Sequence, residues 1–317
     1  MTAGPASSAG GAGGSGPPTL VSGAAGGGGG PARRETRKGR GWVIAAAVVV
    51  AILAAFVGYS YSETFRLEIK EYTFASPDVP PAFDGARIVL LTDIHRTWYF
   101  SQERVGQIVD KANALDPDLI VLGGDYIYRS TEYEASAFEE LDRLEARMGT
   151  FAVLGNHDYG QHDGGDEGTG PVLEALAPTD ITLLDNRAVW IEDSGQRIRL
   201  GGVGDLSQDR PRIYPTIEGT LPEDLVLLAS HNPDFAEFPP PDSVDLVLSG
   251  HTHGGQITFF GLFPFRVPSD YGDKYWKGMV FNGKTTVIVS NGIGSIYPPL
   301  RFFARPQIVV ITLETAD

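Results

Sequence analysis

The longest apolar stretch in the chain runs from Trp42 to Tyr59 (WVIAAAVVVAILAAFVGY), 18 residues without a charge. As a helix it is about 27 Å long, close to the hydrocarbon thickness of a bilayer, with aromatic residues at both ends where the interfaces lie. The pattern predicts one transmembrane helix over residues 42–60. A core helix of a water-soluble domain is rarely apolar on every face and preceded by Arg33, Arg34, Arg37, Lys38 and Arg40. Those basic residues predict a cytoplasmic N-terminus and place everything after the span outside the cytosol, as a single-pass membrane protein. A cleaved signal peptide is the competing reading, although the roughly 40 residues before the apolar run are long for its basic region. The Arg33-Arg34 pair is a weak twin-arginine signal, because Glu35-Thr36-Arg37 supplies no apolar residue after it.

Beyond the span, short apolar runs alternate with amphipathic stretches, the pattern of a layered α/β domain. Residues 87–91 (RIVLL), 119–122 (LIVL), 151–154 (FAVL), 225–229 (LVLLA) and 246–248 (LVL) predict buried strands. Residues 101–115 and 131–147 have helical spacing. From Ile181 onward hairpin-like runs dominate: ITLL, AVWIE, RIRLGGVG, QITFF, TTVIVS and QIVVITL. No internal repeat of 20–50 residues is visible.

Composition adds boundaries. Residues 1–41 are a Gly-rich tail ending in the basic cluster, with too little to bury to offset the entropy of ordering, so disorder is expected there. Residues 61–317 form the remaining domain, with 20 basic against 39 acidic groups, a balance of −19. Such a surface lacks the basic stripe of a nucleic-acid groove, so no nucleic-acid partner is expected. The chain has no Cys, which excludes disulfide staples, cysteine-ligated zinc and a thiol nucleophile.

Five of the strand-like runs end in residues of metal-ligand type: Thr92-Asp93-Ile94-His95, Gly123-Gly124-Asp125, Gly155-Asn156-His157-Asp158, Ser230-His231-Asn232 and Gly250-His251-Thr252-His253. Five of the six His lie in these clusters, and only His162 does not. In extended chain residues i and i+2 point to one side, so Asp93 and His95, and likewise His251 and His253, can converge. Asp125 follows two glycines that permit close approach, and its two oxygens can bridge two cations. Asn156 would ligate through a neutral amide oxygen. Two carboxylates, four imidazoles and one amide suit two divalent ions of the manganese, iron or zinc kind. Each cluster alone is a common turn or polar pair. Five in order at strand ends have no packing explanation, because burying unpaired ionisable groups costs several kcal/mol each.

This ordered set, D-x-H, G-G-D, G-N-H-D, H and G-H-T-H, resembles the calcineurin-like metallophosphoesterases from about Leu67 to Thr312. The run TVIVSNGIGSIYPPLRFFARPQIVVITL further resembles the bacterial membrane-linked branch of that family. The resemblance implies a four-layer α/β/β/α sandwich of two mixed sheets, preceded here by the transmembrane helix. It implies that Asp93, His95, Asp125 and His253 hold one ion, that Asp125, Asn156, His231 and His251 hold the other, and that His157 faces the leaving group. Tyr128 stands where the family's phosphatases carry an Asp paired with that His, which leaves Asp158 as a possible substitute. Arg129 stands where the branch has a phosphate-binding Arg, a surface salt bridge being the alternative, and Asn291 where an Arg is expected.

The implied reaction is hydrolysis of a phosphate ester or pyrophosphate by a hydroxide activated at a dinuclear centre, in one in-line step, with His157 protonating the departing oxygen. The alternatives are a non-catalytic metal-binding scaffold of the same fold, which usually lacks part of this residue set, and a nuclease, which the acidic surface disfavours. Residues 257–268 (ITFFGLFPFRVP) and 297–303 (YPPLRFF) are strand core on one reading. On another they are an exposed apolar rim suited to a substrate with acyl chains, so the expected substrate is a phosphorylated small molecule or a lipid or envelope-linked one. Residues 159–170 (YGQHDGGDEGTG) lack calcium-loop spacing and predict a mobile loop near the site, with His162 solvated. Oligomeric state is not encoded in any of these patterns.

Overall fold

A computed structural model describes residues 14–19, 35–162, 165–166 and 168–316, so most of the expected Gly-rich tail lies outside the described residues. Two compact units emerge, residues 1–51 and 52–317. Helix α1 (Glu35–Glu63) carries the apolar run, and its Arg40–Glu63 portion is long and apolar enough to cross a membrane, with none of its most apolar window buried.

Within the second unit the elements follow in the order β1 (Glu68–Ser76), β2 (Arg87–Leu91), α2 (Gln102–Asn113), β3 (Leu119–Leu122), α3 (Glu134–Leu141), β4 (Thr150–Ala152), the ribbon β5 (Gln161–His162) and β6 (Gly165–Asp166), and α4 (Gly170–Leu176). Then come β7 (Thr182–Leu183), β8 (Arg187–Asp193), β9 (Gln196–Gly202), the one-turn α5 (Tyr214–Ile217), β10 (Val226–Ala229), β11 (Leu246–Ser249), the hairpin β12 (Thr258–Phe259) and β13 (Phe263–Pro264), β14 (Gly278–Asn282), β15 (Thr285–Val289) and β16 (Gln307–Thr315). Two six-stranded mixed sheets result, ordered β1-β16-β2-β3-β4-β7 and β14-β15-β11-β10-β9-β8.

The period of two in the strands explains the layers. Ile88 and Leu90 of β2 face Leu227 and Leu246 in the core between the sheets, while Val89 and Leu91 face the outer core under α2, α3 and α4. Strands buried on both faces read as unbroken apolar runs, which is why RIVLL and LIVL are legible as strands. The second sheet buries Val226, Leu228 and Val247 outward against Phe235, Tyr275 and the α5 residue Ile217, so its outer layer is thin. The fold is the expected four-layer sandwich.

Two elements differ from the sequence expectation. The helix over 131–147 is a short 3-10 turn followed by α3, which stops at Leu141. Asn113 holds the backbone of Arg143 and Glu145 from both ends of its amide (2.8 and 3.0 Å), drawing that segment off the helical path. Strand β1 was not legible, because it is an edge strand paired only with β16, with Ile69, Glu71, Thr73 and Ala75 exposed on one face and Glu68 and Lys70 half-buried beside Tyr72 on the other, so no clean apolar alternation marks it.

Candidate metal centre

Strands β2, β3 and β4 run parallel in the first sheet, as do β10 and β11 in the second. Their C-terminal ends therefore open towards one another, the position at which α/β sheets collect ligands. Asp93 and His95 follow β2, Asp125 follows β3, Asn156 and His157 follow β4, His231 follows β10, and His251 and His253 follow β11.

The side chains converge, but not by extended-chain spacing. Asp93, His95, Asp125, His251 and His253 all have left-handed backbone, with φ between 49° and 68°. Each such residue costs roughly 1–2 kcal/mol, so the surrounding structure must enforce it. Gly124 and Gly155 show how. Gly124 packs against the Gly155 backbone, and a Cβ on Gly155 would run into the Asp125 carboxylate. The carboxylate of Asp158 then accepts the Asp125, Tyr126 and Gly155 N–H groups, each at 2.8 Å. Asp158 thus fixes the loop carrying Asp125.

Three groups of ligand atoms lie within 4.8 Å of one another: Asp93 with His95 and His253, His95 with Asp125 and His157, and Asp125 with His231 and His251. His95 Nε2 and His253 Nε2 stand 3.0 Å apart, the spacing of two donors on a single ion bound at about 2.1 Å. Asp125 Oδ2 lies 3.6 Å from His95 Nε2 and 3.2 Å from His231 Nε2, so one carboxylate adjoins both ends of the cluster. His251 Nδ1 lies 3.2 Å from His231 Nε2. The Nδ1–H groups of His95 and His231 donate to the Ile127 and Gly123 carbonyls (3.2 and 2.8 Å), which aims both Nε2 lone pairs into the cluster.

The electrostatics are those of a site built for cations. Burial pushes His95 down to about 3 and His251 to about 4, and with His95 and Arg301 nearby it holds His253 well below the usual range. These imidazoles are therefore neutral, the form that binds metal. Burial opposes charging of both Asp125 and His231. Their mutual attraction wins, holding Asp125 well below the carboxylate range and His231 well above the imidazole range, with a proton where a cation would sit. Burial raises Asp93 to about 6. The residues fit divalent ions on a second ground: Asn156 Oδ1 is buried with no hydrogen-bond partner, a state that ordinarily costs about 1–3 kcal/mol.

His157 lies on the rim. Its N–H donates to Asp125 Oδ1 (2.8 Å), and its ring packs edge-on against His95 and Tyr128, both at 5.1 Å. Tyr128 thus fills by ring packing the place where an acidic partner was expected. Arg129 lies over the Tyr128 ring and lines an aromatic recess with Trp98, Tyr99 and Tyr297, apart from the metal cavity. Asn291 donates to the Arg305 carbonyl (3.2 Å), so it braces a loop.

Three residues escaped sequence reasoning. Arg301 is fully buried and lies 3.3 Å from His253 Nδ1 while donating to the Asn291 and Ala304 carbonyls (2.8 and 2.7 Å), so it braces the loop beneath that imidazole. Nothing in its apolar sequence context signals this. Asp205 closes β9 after Gly204, repeating the strand-then-Gly-Asp signature; it is buried, and its charge helps hold His231 protonated. Arg266 lines the cavity of about 360 Å³ that also contains Asp125, Asn156, His157, His251 and His253.

Residues 86–255 match the calcineurin-like phosphoesterase family model. The chain is 33% identical to the metallophosphoesterase YkuE of Bacillus subtilis over 86% of its own length and 95% of that protein. It is 31% identical to the phosphodiesterase YaeI of Escherichia coli, over 86% of this chain and 98% of that one. A zebrafish (Danio rerio) protein described as a transmembrane protein with metallophosphoesterase domain is 28% identical over 86% of this chain and 63% of its own length. The chain therefore belongs to the calcineurin-like phosphoesterase family and is a metal-dependent hydrolase of phosphoester bonds.

Proposed function

We propose that the chain uses two divalent ions of the manganese, iron or zinc kind to hydrolyse a phosphate ester or pyrophosphate in one in-line step. The observation that carries this reading is the buried, partnerless Asn156 amide oxygen in the cavity that Asp125 also lines, the Asp125 carboxylate adjoining His95 on one side and His231 on the other. Asp93, His95, Asp125 and His253 would hold one ion, and Asp125, Asn156, His231 and His251 the other. Two such ions lower the pKa of water and neutralise charge developing on the phosphoryl group.

The chain's own residues supply the rest. The imidazoles present neutral nitrogen, Asp158 and Arg301 hold the loops, and His157 on the rim donates a proton to the departing oxygen. Arg266, the cation on the cavity wall, attracts the phosphoryl oxygens into a domain that is otherwise strongly acidic. R266A should raise KM more than it lowers kcat, and an unchanged KM would remove Arg266 from binding. Retention of every ligand-type residue and of His157 favours catalysis over a scaffold role, and the −19 balance disfavours a nuclease.

Helix α1 anchors the protein in a membrane, and the basic cluster before its apolar run favours an extracytoplasmic catalytic domain. Protease added to intact cells should digest that domain; full protection would reverse the orientation. A membrane position and apolar side chains beside the cavity favour a phospholipid, lipid-linked pyrophosphate or envelope-linked substrate, and the likeness to the phosphodiesterase YaeI favours a diester. The deciding experiment is the purified full chain, stripped by chelator and reloaded with manganese, iron or zinc, assayed on mono-, di- and pyrophosphate esters with and without acyl chains. Two ions per chain and recovery of turnover are expected; full turnover after complete stripping would end the reading.

A further inference from the structure

The hairpin β12–β13 buries almost none of its large side chains. Leu262 is 73% exposed and Phe265 67%, and Phe259, Phe260 and Phe263 are also exposed. A ribbon this apolar in water is an interaction surface or an aggregation liability. Its rings are continuous with the membrane helix: Phe263 stacks on Phe259 at 4.9 Å, Phe259 meets Phe260 at 5.1 Å and Phe260 meets Phe302 at 5.6 Å. Phe302 in turn packs on Phe56 and Tyr59 of α1 at 4.9 and 5.5 Å.

The backbone ties these parts together. Thr258 N–H donates to the Phe302 carbonyl (3.1 Å) and Arg301 N–H to the Ser60 carbonyl of α1 (3.0 Å). Glu63, buried at the end of α1, accepts from the Phe303 N–H (2.6 Å) and Arg305 (3.3 Å). On the other side Lys277 donates to the Gly261 carbonyl at the hairpin turn (3.3 Å). The hairpin therefore has a fixed height relative to the last turns of α1.

We propose that the β12–β13 hairpin is a second membrane contact of this chain, its Phe259–Phe265 edge seated in the interfacial layer of the same bilayer that α1 crosses. This inference rests on the membrane-spanning reading of α1 and not on catalysis. Exposed Phe and Leu gain by entering the headgroup–acyl boundary, and aromatic rings are favoured at that depth. A bilayer is the occupant because the patch continues an aromatic contact surface that begins on the spanning helix itself. The consequence for the enzyme is geometric. Gln256 and Arg266, at the two ends of the hairpin segment, line the metal cavity, so seating the hairpin brings the cavity mouth to the lipid surface.

The absence of native Cys makes the test direct. The full-length L262C variant, labelled with a polarity-sensitive fluorophore and reconstituted in phosphatidylcholine vesicles, is compared with Y214C, labelled on α5 at the far side of the second sheet. Lipid-borne quenchers should remove at least about half of the L262C emission and little of the Y214C emission, with a blue shift only for L262C. Labels equally open to aqueous iodide would overturn the proposal, and so would an L262C label shielded from both quenchers, which would mean a second copy covers the hairpin. Because no turnover is measured, failure of the phosphoesterase reading leaves the outcome unaffected.

Discussion

Two regions of the molecule break the rule that polar groups face water and apolar groups face the core, and they break it in opposite directions. At the strand ends Asp93 and His95 are wholly buried and Asp125 and His231 nearly so, while in the hairpin Leu262 and Phe265 are mostly exposed. Each arrangement is costly for the isolated chain. Each becomes reasonable when a missing partner is added: cations for the first region, lipid for the second. The two also differ in rigidity of purpose. The buried cluster tolerates five left-handed backbones to place its donors, whereas the hairpin is a two-residue-per-strand ribbon whose role depends on surface chemistry more than on atomic position.

The sharpest way to break this comparison is D125N. It keeps size and removes the charge adjoining both ends of the cluster, so nearly all turnover and most bound metal should disappear. Added metal should raise the Tm of the parent chain by binding the native state and leave the variant's Tm unmoved. Parent-like turnover with two ions retained would show that the buried charges serve the fold and not cation binding.

H157A tests the rim of the same region. A general acid matters most when the leaving group is basic, so alkyl esters should lose about 10²–10⁴ in rate and nitrophenyl esters distinctly less, with both ions kept. A loss independent of leaving-group pKa would make His157 a positioning residue, and loss of an ion would place it among the ligands.

The smallest effect belongs to the hairpin. F263S with F265S should lower turnover of acylated substrates in vesicles several-fold, by loss of interfacial residence, and leave short-chain soluble esters and Tm unchanged. Equal loss on both substrates with a lower Tm would make these Phe part of the core.

The clustered Asp, His and Asn residues were legible in the sequence, because chemistry of this kind needs donor side chains; their position at the ends of apolar runs was legible because a strand buried on both faces is an unbroken apolar word. The same sequence left the role of ITFFGLFPFRVP open, since an apolar run looks alike whether it packs inward or faces lipid. Only tertiary structure decided that it is exposed and tied through Phe302 to α1. Only tertiary structure revealed that Asp158 caps three backbone N–H groups, that Arg301 lies under His253, and that Arg266 lines the metal cavity and Arg129 the neighbouring aromatic recess. The physical reason is common to all of these. Residue type fixes which interactions a side chain is able to make, and local sequence fixes strand or helix, but the partner of an arginine or a carboxylate is chosen by which distant segments the two sheets bring to the same edge.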